Sequence, residues 1–188
     1  MEEHLLIQAC RRQDRKAQKR LYERLAPEMF GVCKRYIRKK EDAEDVLAEA
    51  FFKILCHIDS FKGQGSFEGW ARRIVVNECL MFLRRRDEFR FDIGIEDWDA
   101  AVPEHSNGAL TAQGILDLLH RLAPGYRTIF NLYVVEGYKH REIADMLGIS
   151  INTSKSQLIL ARRRMQELLG AELGIFIDNP EISEQEEI

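Results

Sequence analysis

HREIADMLGISINTSKSQLILARRRM, residues 140–165, is the stretch on which the fold class turns. Its apolar residues recur at helical spacing on both sides of Gly148. Ile143, Ala144 and Leu147 share one face of the first run. Gly148 suits the left-handed backbone that ends a helix at a tight turn, and Ile149 packs beneath it. Ser150 offers a side-chain oxygen to cap the second run. On that run Ser154, Leu158, Ala161, Met165 and Leu169 form an inward face. Asn152, Thr153, Ser156, Gln157 and Leu160 form another, and Arg162, Arg163 and Arg164 follow. The pattern predicts a helix-turn-helix. Its second helix would bring short polar side chains to base edges in a major groove, with arginines on the flanking phosphates. A plain helical hairpin shares the periodicity. Small Ala161 at the crossing, Gly148 at the turn and the basic end favour the DNA-reading form.

Working outward, the charge falls into blocks. The 188 residues carry a net charge of −3. Residues 1–90 hold 20 Lys/Arg against 15 Asp/Glu, a net +5. Residues 91–112 hold 5 acids and no Lys or Arg, and residues 113–170 are again basic at +3. Residues 171–188 hold 6 acids and no Lys or Arg. Alternating blocks of this kind fit a nucleic-acid partner, which the net charge conceals. Residues 91–112 also contain Gly94, Pro103, Ser106, Asn107 and Gly108, so they read as a linker. The expected fold is all-α: two small helical domains, 1–90 and 113–170, with an acidic linker at 91–112 and an acidic tail at 171–188. Attraction between the basic first block and the acidic linker would draw the two domains together.

Within the first domain, residues 43–58 are amphipathic. Leu47, Ala50, Phe51, Ile54 and Ile58 face one way, and Glu41, Asp45 and Glu49 form an acidic stripe opposite. Phe52 lies beside that stripe, as a partner surface or as a stray aromatic on a solvated face. Residues 61–86 begin with a Gly-rich loop edged by Phe61 and Phe67, and Ser66 is placed to cap the helix that follows. Phe67, Trp70, Ala71, Ile74 and Met81 are expected on one side of that helix. Arg73, Asn77 and Arg84, with Leu80 among them, line a neighbouring strip, and Arg84, Arg85 and Arg86 close it. Guanidiniums that hold phosphates and aromatics that stack on unpaired bases suit single-stranded DNA. A core Trp with cations at a helix C-terminus is the alternative reading of the same residues.

Cys10, Cys33, Cys56 and Cys79 lack zinc-site spacing and read as reduced, small hydrophobic residues. The five His residues are scattered without a metal or catalytic pattern, so no catalytic, cofactor or metal site is expected. Asp45 and Glu49 alone would give a divalent cation two of the six ligands it needs. No apolar run of about 20 residues predicts membrane insertion, and no secretory leader is visible, so a cytoplasmic location is expected.

Three segments in this order resemble the extracytoplasmic-function sigma factors of bacterial RNA polymerase: DAEDVLAEAFFKIL (42–55), residues 61–86, and LAPGYRTIFNLYVVEGYKHREIADMLGIS (122–150) leading into NTSKSQLILARRR (152–164). The likeness spans roughly residues 5–169. It implies core RNA polymerase and promoter DNA as partners, with an anti-sigma factor as a further candidate. It also implies that the first domain clasps the −10 element and the second binds the −35 element. Asp42, Asp45, Glu49 and Phe52 match the region that docks on the polymerase clamp. Phe61, Ile74 and Asn77 match the pocket for a flipped −10 base. Lys62, Trp70, Arg73, Arg84, Arg85 and Arg86 match residues that pack on or hold the melted strand. Arg141, Asn152, Thr153, Lys155, Ser156, Gln157, Leu160 and Arg163 fall in the −35 reader. The acidic linker matches one that threads a channel later used by RNA. The competing reading is a stand-alone helix-turn-helix regulator with a sensor or dimerisation domain at residues 1–90.

Three positions depart from the family pattern. Ser154 stands where many members are apolar, and a bond back to the preceding turn would satisfy it. Gln157 and Leu160 stand where many members carry Arg. Gln favours adenine edges, and an exposed Leu offers an apolar contact such as one to a thymine methyl. Gln157→Arg is therefore expected to change the preferred −35 base in a binding-site selection. An unchanged motif would contradict a base contact by Gln157.

Overall fold

A computed structural model describes residues 2–86 and 111–173. Most of the expected linker, and the tail from residue 174 onward, lie outside the described residues. Among the described residues there are eight α-helices: α1 (Glu2–Arg11), α2 (Arg15–Tyr36), α3 (Lys40–Cys56), α4 (Phe67–Arg85), α5 (Ala112–His120), α6 (Pro124–Phe130), α7 (His140–Leu147) and α8 (Ile151–Leu173). A short 3-10 turn, Ile58–Ser60, follows α3. No strand occurs among the described residues, in keeping with the all-α expectation. Helix α5 starts at Ala112 and α8 runs to Leu173, each slightly past the boundary read from composition.

The helix starts follow from their caps. Asp14 accepts from the backbone N–H of Lys16 at 2.7 Å and of Ala17 at 3.2 Å. Ser66 accepts from Gly69 N–H at 3.0 Å, Thr111 from Gly114 N–H at 3.1 Å, and Ser150 from Thr153 N–H at 2.9 Å. Helix α6 opens with Pro124, whose missing N–H is no loss in a first turn. It runs into one π turn, Asn131–Val135, closed by Glu136 N–H on Asn131 C=O at 2.9 Å. Turns of this kind often re-aim side chains at functional places, and this one carries Asn131 and Glu136.

In the N-terminal half α2 packs on α1, α3 and α4, and α3 packs on α4. Met29, Val32, Cys33 and Tyr36 of α2 are fully buried against Ala43, Ala50 and Ile54 of α3 and Ala71, Val75, Val76 and Cys79 of α4. Lys53 ties α3 to the buried Glu78 of α4 at 2.8 Å. The C-terminal half is thinner. Leu118, Leu119, Leu122 and Tyr126 cluster with Ala161, Met165 and Leu168. Ile129, Leu132, Ile143 and Leu158, from the same half, belong instead to the large N-terminal cluster. The main apolar core therefore runs across both halves.

This shared core corrects two positions on α4. Leu80 is buried rather than on the polar strip, and Met81 is 40% exposed rather than inward. The cluster holding Leu80 also takes in Met146, Leu147 and Ile149 of the C-terminal half.

His120 sits half-buried at the end of α5. Burial lowers its pKa from the ordinary 6.5 to about 4, and Arg127 and Arg38 act in the same direction. A bond to the Lys34 backbone and the charge of Asp117 oppose the shift. Between these pH values the unfolded chain binds a proton that the folded chain refuses. The contribution of His120 is thus whole above pH 6.5 and is lost as pH falls toward about 4. Denaturation midpoints measured across that window should fall more steeply for the natural chain than for His120→Gln. Parallel profiles would contradict the assignment.

Candidate nucleic-acid interface

The loop before α4 is held by aromatic packing and by one arginine. Phe67 is buried and supports both neighbours: its ring lies 5.2 Å from Phe61, edge-on, and 5.3 Å from Trp70. Phe61 and Trp70 lie 5.7 Å apart and are half-buried. Both keep part of their surface in solvent, so the trio is a core element with aromatic surface available for stacking. Arg11 of α1 donates to the backbone C=O of Phe61 at 2.6 Å and of Ile58 at 3.4 Å. It therefore fixes the chain at both ends of the turn into the loop.

Beside this platform Lys62, Arg73 and Asn77 are exposed, Ile74 is half-buried against the core, and Arg84 and Arg85 are exposed at the far end of α4. Arg84 donates to the C=O of Met146 at 3.0 Å, across to α7. Arg86 forms a two-pronged pair with Asp42, at 2.9 and 3.1 Å, and stacks on Phe82 with its guanidinium carbon 4.6 Å from the ring centre. Two residues expected to serve different partners, Asp42 and Arg86, thus neutralise each other here. On the outer face of α3, Asp45 and Glu49 are exposed and Phe52 is 65% exposed.

The helix-turn-helix is formed by α7 and α8. Gly148 adopts φ +71° at the turn, and its N–H bonds Ala144 C=O at 2.8 Å. Lys139 N–H donates to the Glu142 carboxylate at 2.8 Å, which fastens the start of α7. Arg141, Asn152, Lys155, Ser156 and Arg163 are exposed, and Thr153 and Gln157 are half-buried. Arg163 bonds Glu167 at 3.3 Å.

Two expectations on α8 need correction. Leu160 does not stand on the polar strip with Gln157. It is half-buried against the cluster of Leu118, Leu122, Tyr126 and Met165, because α5 and α6 cover that side of α8. Ser154 is fully buried, and its hydroxyl pairs with His140 Nδ1 at 2.9 Å rather than with the preceding turn. Tyr133 stacks on the His140 ring at 4.5 Å, and Arg162 lies 5.4 Å over Tyr133. This stack ties α8 to the rest of its half.

The two halves meet at Glu136. Its side chain is 3% exposed and bonds Arg35 at 2.8 Å and Arg72 Nε at 2.5 Å. Arg72 also reaches Glu28 at 2.9 Å. Asn131 donates to Arg35 C=O at 2.9 Å, and Arg127 to Tyr36 C=O at 3.2 Å. The hydrogen bond to Glu136 raises the Arg72 pKa further, so that cation is permanent. Burial, with Glu136 adding to it, pushes the Tyr36 phenol well up and keeps it neutral. A cavity of about 400 Å³ lies at this seam, lined by Gly69, Arg72, Arg73, Glu136, Tyr138 and Glu142. Arg11, Arg35, Arg72, Glu136 and His140 were not legible as site residues. Arg35 and Glu136 are 101 residues apart, and no local pattern announces such a pairing.

Comparisons with known proteins bear on this arrangement. The family model for Sigma-70 region 2 matches residues 21–89, and that for Sigma-70, region 4 matches residues 112–165. The ECF RNA polymerase sigma-E factor of Haemophilus influenzae is 26% identical over 174 residues, covering 86% of this chain and 92% of its own. The ECF RNA polymerase sigma factor SigM of Mycobacterium tuberculosis is 31% identical over 157 residues, covering 84% of this chain and 79% of its own. Among solved structures, the sigma factor RpoE of Bartonella quintana, in complex with the anti-sigma factor NepR, superposes with a TM-score of 0.55 at 26% identity. That match covers 86% of this chain and 98% of the other.

The Arg11 contact makes a direct prediction. Arg11→Ala should speed proteolytic cleavage between residues 60 and 66 several-fold. Global stability should fall by only about 1–2 kcal/mol, as for a pair of partly exposed hydrogen bonds. Unchanged cleavage would mean that the aromatic trio alone holds the loop.

Proposed function

The chain belongs to the extracytoplasmic-function sigma factors of bacterial RNA polymerase, and from that membership we propose how its residues divide the work. As a sigma factor it binds core polymerase, recognises the −35 and −10 promoter elements and promotes melting for transcription initiation. The observation that carries this is the succession of a region 2 match and a region 4 match in one chain. A stand-alone regulator would need a sensor or dimerisation domain where region 2 lies.

Polymerase docking is assigned to the exposed face of α3, through Asp45, Glu49 and Phe52. Asp42 joins it once freed from Arg86. The −10 strand is assigned to the loop and to α4. A base taken out of the stack costs a few kcal/mol. Stacking on aromatics returns about 1–3 kcal/mol per base. Phe61 and Trp70 offer that platform, with Ile74 and Asn77 completing the pocket and Lys62, Arg73, Arg84, Arg85 and Arg86 on the phosphates. The −35 element is assigned to Arg141, Asn152, Thr153, Lys155, Ser156, Gln157 and Arg163. Leu160 is left out, because its side chain packs inward. No catalytic step is assigned to the chain, and its work is binding and positioning. Its place is the cytoplasm, beside polymerase. No described helix is long and apolar enough to cross a membrane. An anti-sigma factor is a fitting partner, since RpoE of Bartonella quintana was solved with one.

Mixing the chain with bacterial core polymerase should give co-elution on size exclusion. Run-off transcription on a −35/−10 library should then show new start sites. Phe52→Ala combined with Glu49→Lys alters exposed positions, so the fold is retained while co-elution should weaken at least tenfold. Co-elution unaffected by these changes would remove this face from the interface. Absence of co-elution by the natural chain, with sequence-specific binding to duplex DNA, would favour the regulator.

A further inference from the structure

We propose that the groove between α1 and α2 is the docking site of this chain's own acidic tail, residues 174–188. Ile175, Phe176 and Ile177 meet its apolar side, and the acids that follow them pair with the cations of its rim. None of the groove's residues is among those assigned above to polymerase or to promoter DNA.

The groove encloses about 550 Å³ on the N-terminal half. Leu5, Leu6 and Ala9 of α1, with Ala17 of α2, give it an apolar side. Leu5 is 61% exposed, so a large apolar side chain stands open to solvent beside that space. Lys16, Arg20 and Arg24 line it from α2. They recur every four residues and so form a row along the helix, at intervals of about 6 Å for a rise of 1.5 Å per residue. Two acids also line the groove, and both are engaged. Asp14 caps α2 by accepting from Lys16 and Ala17 N–H, and Glu23 pairs with Lys19 at 3.7 Å. Arg24 is paired with Glu3. Lys16 and Arg20 form no ion pair among the described residues. They belong to residues 11–20, RRQDRKAQKR, which hold six cations and one acid.

The tail has the complementary composition. Residues 174–188, GIFIDNPEISEQEEI, carry five acids and no Lys or Arg. Ile175, Phe176 and Ile177 come directly before the first acid, Asp178. An apolar cluster followed by acids alone matches an apolar groove with a cationic rim. Exposed ion pairs contribute little singly, so the apolar contact carries the seating and the charges fix its register.

The distances allow it. Met165 and Leu168, near the end of α8, pack with Leu118, Leu122 and Tyr126 of the same half. That half rests on the end of α2, where Arg127 donates to Tyr36 C=O at 3.2 Å. Arg20 lies about 24 Å back along α2 from Tyr36, at 1.5 Å per residue. The tail's length, fully extended, is about 50 Å. As part of the same chain it meets the groove at an effective concentration of about millimolar, so a contact too weak to hold a free peptide is filled. The seated tail joins the C-terminal half to the N-terminal half a second time, beside Glu136.

The test is photo-crosslinking of the full chain with a benzophenone amino acid in place of Phe176. Illumination should give a product of monomer mass whose cross-link maps to residues 5–24. Lys16→Glu combined with Arg20→Glu should lower its yield several-fold. Both positions are exposed, and unchanged helicity and melting verify the fold. Asp178→Asn with Glu181→Gln and Glu184→Gln, which alters only the tail, should lower the yield in the same way. Glu181→Lys with Glu184→Lys should restore it in the Lys16→Glu, Arg20→Glu background. A yield insensitive to the rim and tail changes, or cross-links that map outside residues 5–24, would overturn the proposal. A product of dimer mass cross-linked at the groove would overturn it as well, since the occupant would then be a second copy.

Discussion

Burying a carboxylate without partners is costly, and Glu136, whose side chain is 3% exposed, finds its partners in the other half of the chain. That requirement organises the seam. Arg35 and Arg72 must converge on one point, so the C-terminal end of α2 and the start of α4 are held in fixed relation to the π turn. Asn131 and Arg127 then satisfy the carbonyls of Arg35 and Tyr36, the last residues of α2. Separating the halves breaks these bonds together and exposes apolar surface from Ile129, Leu132, Ile143 and Leu158. Binding to polymerase and promoter has to offset that cost. A factor built this way commits its charges to itself until a stronger set of partners arrives.

Small helical units bury limited apolar surface, and the C-terminal half shows it. Its own cluster is short, and four of its buried aliphatic side chains complete the core of the other half. The stack of Arg162 on Tyr133 on His140, with the His140–Ser154 bond, gives α8 an anchorage that its small core does not supply. The same economy explains Leu160. A half this thin draws on an apolar side chain at the border of its polar strip, and the exposed part of that strip is left to Asn152, Lys155, Ser156 and their neighbours.

What the sequence disclosed was local. The helix-turn-helix was legible because Gly148, Ser150 and the inward residues lie within one short stretch, and each acts on its immediate neighbours. The outward Phe52 and the Ser66 cap were legible for the same reason. Leu80 and Met81 were misplaced because one helical face was assumed for α4, whereas that helix is covered by elements from both halves. The even spacing of the cysteines had no reading. Cys33 and Cys79 in fact sit together in the core, where burial, followed by the bond to Cys33, pushes the Cys79 thiol well up and leaves it unreactive. The Glu136 seam was invisible because its partners are 101 and 64 residues away. The charge blocks suggested that attraction between the basic first block and the acidic linker draws the domains together. The described contacts draw that attraction from single buried groups, and the linker lies outside them.

The central claim is that the free factor is closed by Glu136. Small-angle scattering of the natural chain and of Glu136→Lys, at several salt concentrations, tests it most directly. The account predicts a radius of gyration for the natural chain near the roughly 16 Å of a compact chain of this length. For Glu136→Lys, whose three cations would repel, it predicts a value larger by several ångströms. An extended natural chain at every salt concentration, or identical curves for the two proteins, would contradict it.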